Sequence, residues 1–188
     1  MARVPAPDRS AAAREKSAYF EETLSAGVDV DVKYINPFLE SIDNVFAMML
    51  DLQPHRKDIQ VSDGNTGGDA ALTSLVGISG KLNGVVVMRF PTETALGLAG
   101  RMLDAAPSEI DHSVIDAISE IVNMVAGSAK SKFNSDPPLE LGLPTVVEGR
   151  EYKVRYPTKS VWLEVPFDSD AGEFSVEVTF AANGGTDL

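Results

Sequence analysis

The sequence predicts an α+β fold in two pseudo-repeated halves, with long helices packed on a largely antiparallel β-sheet. Three observations lead there. Two long stretches, about Tyr34 to Leu52 and about Ser113 to Phe133, carry apolar residues at helical spacing. Strand-like runs come in pairs separated by turn-forming residues, as hairpins do. The order long helix, short strand, hairpin then occurs twice.

Residues 1 to about 30 read as a mobile extension, because a possible helix from Ala11 to Leu24 offers only Tyr19, Phe20 and Leu24 as bulky apolar surface. In the first firm helix Asn36 is the expected cap, with Pro37 in the first turn. Ile35, Phe38, Leu39, Ile42, Val45, Phe46 and Met49 form its apolar stripe, and Pro54 marks its end. Asp58 to Val61 reads as a short strand. The flexible loop Asp63 to Asp69 follows, and Ala71 to Ser79 and Val85 to Phe90 then form a hairpin turning through Gly80 to Gly84. Thr92 to Leu103 is a shorter helix after Pro91. Beyond the second long helix, Thr145 to Val147 is a short strand, and Ser160 to Phe167 and Phe174 to Phe180 form a hairpin through Asp168 to Gly172. Laying Glu40 over Glu120 aligns most apolar positions of the two long helices, although Ser41 falls opposite Ile121. The expected organisation is an extension at 1–30, one domain at 31–182 and a fraying tail at 183–188.

Composition removes several function classes. A net charge of −12 over 188 residues leaves no basic footprint for nucleic acid and disfavours an anionic membrane surface. With no cysteine there is no disulfide, thiolate nucleophile or cysteine metal site. Only His55 and His112 are available as histidine ligands, and they read as a loop residue and a helix-start residue. The N-terminus lacks the apolar core of a secretory signal, and no apolar run is long enough to span a bilayer. A soluble cytoplasmic protein is expected.

The informative segment is His112 to Gly127. At about 100° per residue, Val114, Ile118, Ile121, Val122, Val125 and Ala129 gather on one side of a helix. Asp116, Glu120, Asn123 and Gly127 gather on the other, with Glu120 and Asn123 side by side. A solvated face would account for this pattern, with Asp116 serving a capping box begun by Ser113. Two details argue for more. Asp116 and Glu120 are like charges one turn apart, costing roughly 0.2–0.5 kcal/mol, and Asn is a middling helix former where Lys or Gln would suit a surface better.

The spacing Asp116-x3-Glu120-x2-Asn123 resembles the signature of the CheC, CheX and FliY chemotaxis phosphatases, and EIVNMVAGSAKSKF is similar to the motif helix of CheX in particular. The likeness extends to YINPFLESIDNVFAMML, VGISGKLNGVVVMRFP and TETALGLAGRML, covering about residues 32 to 182. Pro144 lies near a proline of the family pattern and is given no role beyond shaping its loop.

The resemblance implies a phosphatase acting on the aspartyl phosphate of a CheY-like response-regulator receiver domain. The receiver contributes Mg²⁺ and a lysine, so no cofactor is expected on this chain. What remains is to place a water in line with phosphorus. A carboxamide offers an acceptor and a donor for this, and Asn123 is the candidate. Glu120 is suited to pairing with the receiver lysine and fixing the docking register; Asp116 has a supporting part. In the first helix the position of Asn123 is matched by Asp43, an acceptor only, so one active motif is expected, as in CheX. A homodimer follows from the resemblance, with exposed strand edges available for pairing. The rival readings are a non-catalytic receiver-binding module, against which the intact Glu120 and Asn123 speak, and a structural part in a flagellar switch. No phosphate-cradling glycine loop supports nucleotide binding.

Overall fold

The computed structural model describes residues 35–62, 70–80, 82–133, 138–149, 154 and 162–182. The expectations for the N-terminal extension, the loop at 63–69 and the tail at 183–188 lie outside these residues. Helix α1 spans Asn36–Leu50, α2 Thr92–Leu103 and α3 His112–Lys132.

Asn36 does not cap α1. The N-cap is Ile35, which makes no side-chain cap bond, and Asn36 and Pro37 are already helical. The Ile35 carbonyl accepts from the Phe38 and Leu39 amides at 2.9 and 3.1 Å, while its side chain is fully buried. Burying an isoleucine is worth about 1.5–3 kcal/mol against about 1 for a polar cap, so packing decides the start of the helix. The helix ends before Pro54 is reached. Asp51 takes a left-handed conformation (φ 51°), and its amide and that of Leu52 return to the Phe46 carbonyl. Leu50, not Met49, makes the last core contact: Leu50 is 2% exposed and Met49 48%. On α3 the cap is Asp111, whose Oδ1 accepts from the Val114 amide at 2.9 Å, so Ser113 begins no capping box with Asp116.

The strands are β1 His55–Arg56, β2 Gln60–Ser62, β3 Ala70–Ser79, β4 Leu82–Pro91, β5 Glu140–Leu141, β6 Thr145–Glu148, β7 Trp162–Asp168 and β8 Phe174–Ala182. Both expected hairpins form. The β3–β4 turn is tighter than Gly80 to Gly84, because Gly84 is already paired with Ile78. A side chain at Gly84 would meet the Thr179 carbonyl oxygen at 2.4 Å, so the closeness of β4 and β8 demands glycine there. The short strand expected at Asp58 to Val61 is instead two pieces, β1 and β2, with His55 in an edge strand.

All pairings are antiparallel, in the order β1-β7-β8-β4-β3-β5, with β2 also on β7 and β6 also on β3. Exchanging the halves reverses this order onto itself, which makes the pseudo-repeat physical. The two hairpins meet at β4–β8, and each half lends its short strands to the hairpin of the other. Only α2 lacks a counterpart among the described residues.

The helices cover one face of the sheet. Phe46 of α1 stacks on Phe174 with centroids 5.0 Å apart, and Phe174 on Phe167 at 4.9 Å. Alternation along β4 and β8 sends Met88, Phe90, Val176 and Val178 to this core and Arg89 and Glu177 to the opposite face. There Arg89 Nη2 lies 3.1 Å from Glu177 Oε2, both side chains almost fully buried, with Thr73 Oγ1 accepting from Nη1 at 3.5 Å.

Candidate functional site

Helix α3 buries Val114, Ile118, Ile121, Val122, Val125 and Ala129, the stripe that the helical spacing predicted, and Ala117 and Ala126 besides. The same rotation turns Asp116, Glu120, Asn123 and Gly127 to the outer, exposed face. A Cβ at Gly127 would meet nothing within 4 Å, so the ridge beyond Asn123 is open. Among the described residues neither the Glu120 nor the Asn123 side chain makes a hydrogen bond or ion pair. An acceptor and a carboxamide therefore stand free on adjacent turns.

The ridge lies beside α1. Phe38, near the start of α1, packs on Phe133 at the end of α3 with centroids 5.8 Å apart, and Lys132 Nζ donates to Glu40 Oε2 at 3.0 Å. The two long helices thus run antiparallel, their outer faces side by side.

The positions of α1 aligned with Glu120 and Asn123 are Glu40 and Asp43, both exposed. They differ from the α3 pair in two ways. Glu40 is already engaged by Lys132. Asp43 has no donor to offer, and its surroundings hold its carboxyl above the usual range: loss of water around it raises it, Arg56 opposes this, Glu40 adds to it and Lys132 opposes it again. The α1 counterpart therefore carries an extra carboxylate where α3 carries an amide. Lys132 escaped sequence reading; its only signal was a basic residue in the last turn of α3, opposite the start of the aligned helix.

Among the described residues no group of His, Asp and Glu is arranged to hold a metal ion. No described helix is long and apolar enough to cross a membrane.

The family model for chemotaxis phosphatase CheX matches residues 72–168, a stretch that contains all of α3. The chain belongs to the CheX family. These are phosphatases of chemotaxis. Relatives of this CheX-type chain include the CheY-P phosphatase CheX of Thermotoga maritima, 27% identical over 129 residues that make up 67% of this chain and 82% of the relative. A CheC-like superfamily protein from Shewanella sp. PV-4 superposes with a TM-score of 0.74 at 27% identity, covering 81% of this chain and 99% of its own. A CheX–CheY–BeF₃–Mg²⁺ complex from Borrelia burgdorferi shares the fold, with a TM-score of 0.67 at 22% identity over 78% of this chain and 97% of that one.

Proposed function

We propose that this chain hydrolyses the aspartyl phosphate of a CheY-like response regulator, with Asn123 orienting the attacking water and Glu120 pairing with the receiver lysine. The observation that carries this reading is the exposed, unpartnered Glu120 and Asn123 on adjacent turns of α3. The CheY-P phosphatase activity named for the Thermotoga relative and the receiver partner of the Borrelia protein support the substrate class.

An acyl phosphate hydrolyses without help, so positioning is the missing element. The Asn123 carboxamide accepts from the water with its oxygen and holds an oxygen of the water or phosphoryl group with its NH₂. Water oxygen then bonds to phosphorus as the phosphorus–oxygen bond to the receiver carboxylate breaks, releasing inorganic phosphate and the free aspartate. Mg²⁺ belongs to the receiver, and this chain supplies no cofactor. Glu120 is unsuited to be the base beside an anionic phosphoryl group; an ion pair with the receiver lysine gives it a docking role. Asp116, one turn away, adds negative potential that favours the same lysine. The domain is assigned to residues 31–182, acting in the cytoplasm, and its short edge strands leave room for sheet pairing in a homodimer.

The test is phosphate release from phosphorylated receivers in the presence of this chain and of its Asn123→Ala variant. A receiver bound tightly by the parent chain but dephosphorylated no faster than alone would make it a non-catalytic binding module.

A further inference from the structure

Helix α3 carries a glycine well inside its length, Gly127, exposed on the outer ridge. Glycine within a helix is less stable than alanine, because it has more backbone freedom to lose, so its presence needs a reason. The other glycines within the described helices have one in the packing of the chain itself. A Cβ at Gly97 would come within 3.3 Å of Ala171, and one at Gly100 within 2.8 Å of the Ala105 carbonyl oxygen. A Cβ at Gly127 would meet nothing within 4 Å, and the backbone there is ordinary right-handed helix. Neither sterics nor conformation within this chain asks for glycine at 127. Only a surface that comes against the helix from outside would register the missing side chain.

Its place on the ridge follows from the helix alone. Gly127 lies one turn past Asn123, about 6 Å along the axis and about 40° round it, while Glu120 lies about 4.5 Å the other way. Asn123 thus has a carboxylate on one flank and bare backbone on the other. Both side chains that meet in the proposed reaction are short, an asparagine here and a phosphorylated aspartate on the receiver. For the two to meet through a single water, the surfaces around them must close to main-chain contact. Lysine pairing at Glu120 fills one flank. We infer that Gly127 is a docking residue of the site, the gap in which a loop of the phosphorylated receiver lays its main chain against α3. This rests on the proposed receiver phosphatase reading and adds to it the direction in which the receiver lies. Its lysine is set toward the start of α3, and its closest main chain toward the end.

The experiment compares the parent chain with Gly127→Ala, Gly127→Gln, Glu120→Ala and Asn123→Ala. The substrate is a receiver that the parent dephosphorylates, charged with acetyl phosphate and Mg²⁺. Gly127→Ala should raise Tm by about 2–4 °C, the gain from a better helix former in a chain of this size, yet lower kcat/KM about tenfold. Gly127→Gln, with a longer side chain over the same spot, should lower kcat/KM about a hundredfold while the fold is kept. Opposite signs in the two readouts separate docking from a structural part, since a residue serving the fold would lose both. Neither loss should shrink at high salt, whereas the Glu120→Ala defect should. A kcat/KM within about twofold of the parent in both Gly127 variants, with Asn123→Ala inactive, overturns the docking role and leaves the phosphatase reading standing. A fall in Tm for Gly127→Ala overturns it too, because the chain itself would then need the glycine. Full activity of Asn123→Ala instead overturns the phosphatase reading.

Discussion

Lys132 Nζ donates to Glu40 Oε2 across 3.0 Å, joining the end of α3 to the first turns of α1. The pair is partly open to water, at 27% and 66% side-chain exposure. It satisfies internally the carboxylate that, by pseudo-symmetry, corresponds to Glu120. The half-site on α1 is thus closed by the chain itself, and the one on α3 is left for a partner.

That closure has a measurable consequence. Asp43→Asn introduced together with Asn123→Ala recreates a Glu and Asn pair on α1, yet it should stay at the activity of Asn123→Ala alone, since Lys132 still holds Glu40. Recovery of receiver dephosphorylation without altering Lys132 would show that something other than the ion pair closes this half-site. Lys132→Ala by itself should cost under about 1 kcal/mol in urea unfolding, as expected for a solvent-screened pair.

Within the α3 motif the two roles should separate. Asn123→Ala should slow dephosphorylation by roughly a hundredfold or more while binding hardly changes, as for loss of one preorganised polar group. Glu120→Ala should weaken complex formation, with a defect that shrinks as salt rises. Both sites are exposed on a helix, where alanine is well tolerated, so circular dichroism should report unchanged folding.

Asp43 gives stability a pH dependence. Its carboxyl is raised, chiefly by loss of surrounding water, so the folded chain holds that proton more tightly than the unfolded one. The resulting stability is present below the unfolded value of about 3.9 and is lost as pH rises through the folded value. Asp43→Asn should therefore melt slightly higher than the parent at pH 7, the difference vanishing below about pH 4. The gain is small because the side chain remains in contact with water. Thermal scans across that range check both the sign and the window.

The buried Arg89–Glu177 pair should be far more sensitive. Glu177→Ala removes the buried carboxylate that Arg89 contacts in the sheet and should cost about 3–5 kcal/mol, read as a fall of roughly 6–20 °C in Tm. Replacing both residues with Arg89→Met and Glu177→Leu should lose less than the single change, because no uncompensated charge remains. A double variant less stable than Glu177→Ala would show that the pair is worth more than its desolvation cost.

Local rules were enough for much of this molecule. The 3.6-residue spacing of Val114, Ile118, Ile121 and Val125 determined both the helix and its outward face, and so turned Glu120 and Asn123 to solvent before any packing was known. Turn composition determined the two hairpins, and the recurrence of elements determined the two halves. What the sequence left open depends on residues distant along the chain. Which residue starts α1 was decided by the core that buries Ile35, and the length of its apolar stripe by how far that core reaches, so that Leu50 is covered and Met49 is not. The lending of β1 and β2 to β7, and of β5 and β6 to β3, is a choice between edges of similar chemistry, settled only when the sheet closes around the β4–β8 pair. Arg89 meets Glu177, and Lys132 meets Glu40, across 88 and 92 residues of chain. No local periodicity encodes such encounters, because charge attraction specifies a kind of partner and only the folded geometry specifies which one.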